Sequence, residues 1–394
     1  MFDFQYFAPT KVAFGRNSLQ KLSSLIAEQG CKKVLLHYGG GSAERSGLLS
    51  VVRGAIAAAG AAFVELGGVK PNPRLSLVRE GIALARAEGV DFLLAVGGGS
   101  VIDSAKAIGY GLKNQGDVWD FYEGLRKPSA CMPVGVVLTI AAAGSEMSNS
   151  SVITNDEVEG WLKRSCNTDY ARPRFAVMDP ALTFTLPPYQ TACGCTDILM
   201  HTMERYFTSG GNMQITDSLA EGLMRTVIAN AKLLVGNPAD YDARAEVMWA
   251  GAVSHNGLTG CGNNGGDWAV HGIEHELGGL YDVAHGAGLA AVWTAWANYV
   301  YKDCLTRFYL FAVRVMGVRP SGTREGVARE GIERFTAFLA DIGMPVNLSE
   351  LGVSPSDEDI ARMARLCAAT GGGKKGSAKI LYAADIAQIL KNAV

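Results

Sequence analysis

The sequence predicts an α/β domain with a parallel sheet followed by an all-helical domain. Three observations carry this prediction: a length of 394 residues, short apolar runs that alternate with helical patterns in the first half, and helical periodicity throughout the second half. A chain of this length normally divides into two domains. Strands that alternate with helices form βαβ units and a parallel sheet. We therefore expect an α/β domain over residues 1–185 and a helical domain over residues 186–394.

Composition and charge argue against several classes of protein. Hydrophobic residues make up 48% of the chain and charged residues 19%, which is typical of a folded globular enzyme. The formal net charge is −2 and no long basic run is present, so we expect neither a nucleic-acid nor a membrane partner. No apolar run approaches the ~18 residues that a bilayer-spanning helix needs. The eight cysteines form no CxxC pair, and reduced thiols in a cytoplasmic protein explain them most simply.

In the first half, strand-like runs occur at residues 33–38, 62–66, 91–96 and 134–138. Helical patterns follow the first three runs and extend over residues 48–59, 75–88 and 97–108. The first and third runs each lead into a Gly-Gly-Gly-Ser turn, at residues 39–42 and 97–100. A glycine turn between strand and helix lets backbone N–H groups approach a phosphate, whose charge the helix N-terminus favours. The G-x-G-x-x-G fingerprint is absent, but two such turns in one domain favour nucleotide binding.

Strand signals fade after Leu186-Pro187-Pro188, where we place the domain boundary. Seven helical patterns follow, at residues 189–207, 216–234, 242–255, 268–280, 289–300, 305–315 and 324–342. The glycine-rich stretch at residues 371–377 is typical of a flexible surface loop, and we expect its two lysines to be solvated.

Three of the six histidines lie within fifteen residues: His271, His275 and His285. His271 and His275 are four residues apart, so both imidazoles project from one face of a helix. Gly278 and Gly279 then allow the chain to leave the helix, and His285 can fold back toward the first two. Imidazole is the commonest metal ligand, so the stretch predicts a metal site. A pair of hydrogen-bonded core histidines is the alternative.

Asp197 and His201 form a second pair with the same spacing of four residues. A carboxylate together with imidazoles suits Zn²⁺, Fe²⁺, Mn²⁺ or Co²⁺. The alternatives are an aspartate favoured by the helix dipole in a first turn and a core histidine. Combined with the histidine stretch, the pair predicts a sphere of one aspartate and three histidines. A nucleotide nearby suggests chemistry in which the metal polarises an alcohol or carbonyl oxygen.

Several segments, in this order, carry a resemblance to a known family: Tyr38-Gly-Gly-Gly-Ser42, Pro71-Asn-Pro73, Ala95–Asp103, Gly144-Ser-Glu146, Phe175–Pro180, Thr185–Pro188, Asp197-x₃-His201, Asp267-Trp-Ala-x-His271-x₃-His275 and His285-Gly286. They resemble the iron-containing (group III) alcohol dehydrogenases, especially the branch of NADPH-dependent aldehyde reductases and butanol dehydrogenases. The resemblance implies a Rossmann-like dinucleotide-binding domain and a helical metal-binding domain, as in the dehydroquinate synthase-like fold. It also implies an active site in the cleft between them.

The resemblance assigns the metal to four residues: Asp197, His201, His271 and His285. It leaves His275 as an unliganded neighbour, which we interpret as a proton relay. It places the cofactor pyrophosphate on four turn residues: Gly97, Gly98, Gly99 and Ser100. It directs Asp103 toward the nicotinamide end, which makes Asp103 a second candidate catalytic residue. Further cofactor contacts fall to Thr139, Ser145 and Lys163.

The turn after the first strand bears on the choice of cofactor. An acidic residue at position 39 would bind the ribose 2′-hydroxyl and repel a 2′-phosphate. This chain has Gly39 and Gly40, with Ser42 as a hydrogen-bond donor and Arg45 nearby. We therefore predict NADP(H) rather than NAD. Glu44 argues mildly the other way, and a surface role for Arg45 is an alternative.

Together these features predict hydride transfer between NADP(H) and a small aldehyde or primary alcohol at a divalent metal, Fe²⁺ or Zn²⁺. We expect a cytoplasmic homodimer. Two enzymes of the same superfamily are alternatives, a glycerol-dehydrogenase-like polyol oxidiser and a dehydroquinate-synthase-like lyase. A lyase with a phosphate-bearing substrate needs clustered basic residues, and the motifs of the helical half offer few. A catalytically silent binding protein is the third alternative, although all four metal ligands are present.

Overall fold

A six-stranded parallel sheet organises the first part of the computed structural model, which describes residues 1–208 and 211–394. The sheet order is β1-β8-β5-β4-β2-β3, while β6 and β7 form a separate antiparallel hairpin. The strands are β1 (Lys11–Phe14), β2 (Lys33–Tyr38), β3 (Ala62–Leu66), β4 (Phe92–Gly97), β5 (Val134–Leu138), β6 (Ser150–Asn155), β7 (Leu162–Asn167) and β8 (Phe175–Met178). The helices of this unit are α1 (Leu22–Ala27), α2 (Ser42–Arg45), α3 (Leu48–Ala58), α4 (Leu75–Ala87), α5 (Gly99–Lys113) and α6 (Trp119–Tyr122).

Every residue of β4 is buried, because a central strand of a parallel sheet is covered on both faces. β3 lies on one side of β2 and β4 on the other, so the order of the strands reverses there. The two glycine turns follow β2 and β4 and therefore flank this reversal. Ligands of open α/β sheets bind at such a point, at the carboxyl ends of the strands. The main-chain N–H of Thr139, after β5, donates to the carbonyl of Gly97 at 3.1 Å, which brings a third strand end to the same edge.

The second unit is helical, so the predicted fold class is confirmed. Its helices are α7 (Pro188–Tyr206), α8 (Gln214–Gly236), α9 (Tyr241–His255), α10 (Ala269–Tyr281), α11 (His285–Val300), α12 (Leu305–Arg314), α13 (Arg324–Asp341), α14 (Asp357–Thr370) and α15 (Ala383–Asn392). Within residues 1–208 and 211–394, none of the helices has both the length and the apolar character needed to cross a membrane.

The division between the units differs from the predicted one at the N-terminus. One unit comprises Phe7–Leu186, and the other comprises Met1–Tyr6 together with Pro187–Val394. The first six residues, which the sequence places in the α/β domain, therefore belong to the helical unit. The N–H of Phe2 donates to the carbonyl of Gly262 at 3.0 Å, which attaches this segment to the loop after α9.

One local prediction in the helical unit is wrong and another is refined. Gly278 and Gly279 lie inside α10, which continues to Tyr281, one residue beyond the predicted helical pattern. Asp282 ends the helix instead, in the left-handed region at φ 51°. In the stretch at residues 371–377, the two lysines are not both solvated. Lys374 is exposed, but Lys375 is half-buried and pairs with Leu381 through main-chain hydrogen bonds of 2.9 and 2.7 Å.

Candidate functional site

Three helices bring the four predicted metal ligands together. α7 carries Asp197 and His201 one turn apart, α10 carries His271, and α11 begins at His285. Asp197 Oδ1 lies 2.9 Å from His201 Nδ1, 3.7 Å from His271 Nε2 and 3.6 Å from His285 Nε2. Candidate ligand atoms of Asp197, His201 and His271 all lie within 4.8 Å of one another. The three imidazoles thus converge on one carboxylate oxygen.

The burial of these atoms tests whether a metal ion fits here. His201 Nδ1 makes its hydrogen bond to the main-chain oxygen of Asp197, at 3.1 Å. Asp197 Oδ1 and His271 Nε2 are buried without a hydrogen-bond partner. An unpaired buried polar group costs about 1–3 kcal/mol, so two in one cluster indicate a missing ligand. Carboxylate and imidazole donors suit a divalent ion such as Zn²⁺ or Fe²⁺, and the residues present therefore fit the metal.

The electrostatics of the cluster agree with a cation site. Burial opposes ionisation of Asp197, but the neighbouring histidines outweigh it and hold the pKa of its carboxyl well below the usual range. Burial lowers the pKa of His201 to about 4. Burial also opposes protonation of His271, but the nearby carboxylates of Asp197 and Glu204 prevail and raise its pKa to about 9. In the absence of a metal, His271 holds a proton that metal binding must displace.

Comparison with known proteins agrees with this geometry. The family model described as iron-containing alcohol dehydrogenase matches residues 9–180, and the model for the C-terminal part of the Fe-containing alcohol dehydrogenase family matches residues 191–394. The chain belongs to the iron-containing alcohol dehydrogenase family. As a member of that family it is an NAD(P)-dependent alcohol dehydrogenase, and the predictions of family and enzyme class are confirmed.

Relatives cover nearly the whole of this iron-containing alcohol dehydrogenase. The probable NADH-dependent butanol dehydrogenase 1 of Bacillus subtilis is 40% identical over 99% of both chains. The NADPH-dependent aldehyde reductase YqhD of Escherichia coli is 34% identical over 90% of this chain and 91% of the relative. The crystal structure of NADH-dependent butanol dehydrogenase A from Thermotoga maritima has a TM-score of 0.95 at 38% identity, and covers 100% of this chain and 99% of that one.

Two buried glutamates contact predicted ligand histidines of this dehydrogenase. Glu204 Oε1 accepts hydrogen bonds from the main-chain N–H of His271 at 2.9 Å and from its Nδ1 at 3.0 Å. Glu274 Oε2 contacts Nδ1 of His285. Such a carboxylate fixes the ring and its tautomer, and so presents Nε2 to a metal. The sequence did not single out either glutamate, although each follows a predicted ligand histidine by three residues, at His201 and His271.

His255, the last residue of α9, is a further member of the cluster that the sequence did not predict. Its ring centroid lies 4.1 Å from that of His201. Arg205 donates from Nη2 to His255 Nδ1 at 3.0 Å and from Nη1 to the main-chain oxygen of His201 at 2.7 Å. Its guanidinium lies 4.6 Å above the ring of Trp268. Nδ1 of His255 thus accepts a hydrogen bond from Arg205, and the His255 ring packs edge-on against that of His201, a predicted ligand.

The predicted proton relay, His275, is half-buried on α10, and its ring centroid lies 6.0 Å from that of His285. It therefore lies beside the predicted ligand His285. The spacing alone favoured His275 as a ligand, whereas the four-residue cluster around Asp197 Oδ1 includes His285.

The predicted cofactor residues of the two glycine turns lie at the carboxyl edge of the sheet, and Lys163 lies on the separate hairpin. Gly39, Gly40 and Ser42 follow β2, and Gly97 to Ser100 lead from β4 into the fifteen-residue helix α5. A side chain at position 97 would approach Val101 within 2.4 Å, so close packing of the turn against its helix requires glycine. Lys163 is buried on β7, opposite Thr154 of β6.

Asp103 and Ser145 bind each other. Ser145 Oγ donates to Asp103 Oδ1 at 2.5 Å, and the N–H of Val152 donates to Oδ2 at 3.0 Å. The fully buried Lys106 donates to the carbonyl and the hydroxyl of Ser145, at 2.7 and 2.9 Å, and to the carbonyl of Ser150 at 2.7 Å. Both carboxylate oxygens of Asp103 are therefore engaged by the chain itself, and Lys106 is a residue of this network that the sequence did not single out.

Proposed function

We propose that this chain reduces small aldehydes to primary alcohols, and catalyses the reverse reaction, with NADP(H) and a divalent metal. The observation that carries the proposal is the convergence of three imidazoles on Asp197 Oδ1. The names of the relatives, butanol dehydrogenase and aldehyde reductase, support the substrate class.

The residues that would hold the metal are Asp197, His201, His271 and His285. A divalent ion in such a site polarises a carbonyl or alcohol oxygen. Glu204 and Glu274 orient two of the rings, so the geometry is set before substrate binds. A nicotinamide cofactor, which the turn at Gly97 to Ser100 would hold, would supply the hydride for the carbonyl carbon. His275, beside His285, would donate the proton that the product oxygen needs and recover one from solvent.

In the α/β unit we assign Asp103 a positioning role rather than a catalytic one. Its carboxylate accepts a hydrogen bond from Ser145, and Lys106, three residues later on α5, donates to the same serine. The loop after β5 is thereby fixed close to the turn at Gly97, where the pyrophosphate would lie. Thr139 and Lys163 would contact the cofactor from the end of β5 and from the hairpin.

The preference for NADP(H) rests on the turn after β2. A side chain at position 41 would approach Arg45 Nη1 within 2.5 Å, so the guanidinium lies directly over the turn. Glu44, which argued for NAD, is bound by Arg53 through hydrogen bonds of 3.0 and 2.8 Å. The acid nearest the turn is thus neutralised and Arg45 can meet a 2′-phosphate. The relatives carry both NADH and NADPH in their names and do not decide the choice.

The test uses purified protein loaded with Zn²⁺ or Fe²⁺ and a panel of aldehydes, with oxidation of NADPH or NADH followed by absorbance. We expect metal-dependent reduction with a kcat/KM at least about tenfold higher for NADPH, because a charge-assisted phosphate contact contributes about 1.4 kcal/mol or more. Arg45→Ala should lower kcat/KM for NADPH and leave that for NADH unchanged. Stronger use of NADH refutes the cofactor assignment. Preferential oxidation of glycerol, or full activity without metal, refutes the proposed reaction.

A further inference from the structure

We propose that the segment Lys375–Ala378, here called the latch, holds the metal-binding end of α10 in place through Asp267. The proposal rests on the metal site of the proposed function and assigns Asp267 and the latch as positioning elements for that site. The latch lies about one hundred residues after His271, the predicted ligand on α10, and outside the motifs that carry the family resemblance.

Asp267 joins the latch to the first turn of α10. Its side chain is buried, and Oδ2 accepts hydrogen bonds from the main-chain N–H groups of Ser377 at 2.6 Å and Ala378 at 2.7 Å. Oδ1 accepts from the N–H of Ala269, the first residue of α10, at 3.1 Å. One carboxylate therefore ties two segments together that are distant in sequence.

The turn next to Asp267 is strained. Trp268 has φ 61° and ψ 19°, a left-handed conformation that a large side chain rarely adopts. Such a conformation persists only where its surroundings hold it. Here Glu204 accepts from the N–H of Trp268 at 2.6 Å, and its main-chain oxygen accepts from the N–H of Asp267 at 2.7 Å. His271 follows three residues later and is bound by the same glutamate.

The shape of the latch depends on Gly376. Its φ is +91°, and a Cβ there would lie 2.3 Å from the carbonyl oxygen of Lys379 and 3.3 Å from Asp267 Oδ2. Glycine thus lets the two following N–H groups turn toward the carboxylate. Ser377 is also bound by Asn264, whose Nδ2 donates to Oγ at 2.8 Å. The stem of Lys375 packs on Gly272, since a Cβ at position 272 would lie 3.0 Å from Lys375 Cε.

Both attachments act on the first turns of α10, where His271 is placed. Loss of the latch frees the strained turn at Trp268 to relax, and the His271 ring then leaves the position in which its Nε2 faces Asp197. Metal binding and latch closure are therefore linked, and linkage is reciprocal. When the latch is hydrogen-bonded to Asp267, metal binding is stronger. A bound metal must stabilise these latch contacts by the same free energy.

The first test measures Zn²⁺ binding by competition with a chelator. In folded Asp267→Ala protein we expect affinity about 10- to 100-fold lower than wild type, the range typical for residues that orient metal ligands. Asp267→Asn keeps an oxygen acceptor for the latch and should recover part of the loss. Lys374→Ala removes an exposed side chain next to the latch and should bind Zn²⁺ as wild type does. Wild-type affinity in folded Asp267→Ala protein overturns the proposal.

The second test uses the wild-type chain, so it does not depend on whether a variant folds. Hydrogen–deuterium exchange at the N–H groups of Ser377 and Ala378 is compared with and without Zn²⁺. We expect faster exchange after the metal is removed, and no change at Val136 in β5. Equal exchange in both states overturns the latch. Neither test requires turnover: a wild-type chain that binds no Zn²⁺ overturns the proposed metal centre itself, whereas equal binding by wild type and Asp267→Ala overturns only the latch.

Discussion

Replacing Glu204 by glutamine tests the carboxylate that orients His271. The change keeps the size of the side chain and removes its charge. Glu204 accepts three hydrogen bonds, two from His271 at 2.9 and 3.0 Å and one from the main chain of Trp268 at 2.6 Å. A glutamine amide has an acceptor on one side and a donor on the other. At least one of the three hydrogen bonds is therefore replaced by a contact between two donors.

We expect the intrinsic Zn²⁺ affinity to fall about 10- to 100-fold, or about 1.4 to 2.7 kcal/mol. Loss of one hydrogen bond to a buried charge, about 1.5–3 kcal/mol, is enough to account for this range. The same carboxylate also stabilises a proton on His271, whose pKa is raised to about 9. The comparison is therefore made above about pH 9, where proton competition no longer opposes the metal.

The assay is chelator competition on wild type, Glu204→Gln and Glu221→Gln. Glu221 is a matched control because it is also buried in the helical unit, where it binds Tyr206 and Arg314 at 2.9 and 3.1 Å. Its replacement should lower the free energy of unfolding and leave Zn²⁺ affinity unchanged. A folded Glu204→Gln protein with Zn²⁺ affinity within about twofold of wild type would refute the role given to this carboxylate.

Three further predictions follow from the same contacts. In the wild type, the apparent Zn²⁺ affinity should rise about tenfold per pH unit up to about pH 9, because His271 releases its proton on binding. In the metal-free protein, the proton on His271 contributes to the free energy of unfolding. This contribution is complete below about pH 6.5 and is lost as the pH rises through about 9. A flat profile contradicts this. Lys106→Met leaves the carbonyl of Ser145 without its donor, so it should lower the free energy of unfolding by about 1–3 kcal/mol per unpaired group. It should also weaken NADP(H) binding in titration. Lys113 is exposed, and Lys113→Met should change neither quantity. His275→Ala should retain Zn²⁺ while kcat falls about a hundredfold, and an unchanged kcat excludes the relay.

The strands of the parallel sheet could be predicted because each is a short, nearly continuous apolar run. The structure gives β2, β3 and β5 the predicted bounds. The edge strand β1 could not be predicted, since Lys-Val-Ala-Phe becomes a strand only by pairing with β8, more than 160 residues later. The hairpin of β6 and β7 carries many polar residues, and its position depends on contacts such as the hydrogen bond from Val152 to Asp103. Long-range pairing of this kind leaves no local pattern.

In the site, helical spacing identified Asp197, His201 and His271 because residues four apart share a face. Spacing also favoured His275 and indicated that His285 could fold back toward the pair, and the resemblance chose His285 over His275. The structure explains the difference, since a left-handed residue, Asp282, turns the chain so that the next helix begins at His285. No periodicity reports such a turn.

The residues that contact the predicted ligands or the turn before α10 could not be predicted for another reason. Glu204, His255 and Asp267 act on residues of other helices or loops, so their roles depend on tertiary packing. The His-x-x-Glu spacing is present in the sequence, but each glutamate contacts a histidine other than the one three residues before it. Glu204 binds His271, and Glu274 contacts His285.

This exchange of partners limits how the site can be transplanted into another scaffold. The glutamate of α7 supports the histidine of α10, and the glutamate of α10 supports the histidine of α11. A designer who grafts one helix thus moves a ligand without its carboxylate and a carboxylate without its ligand. The smallest portable unit is the set of α7, α10 and α11 together with the strained turn before α10.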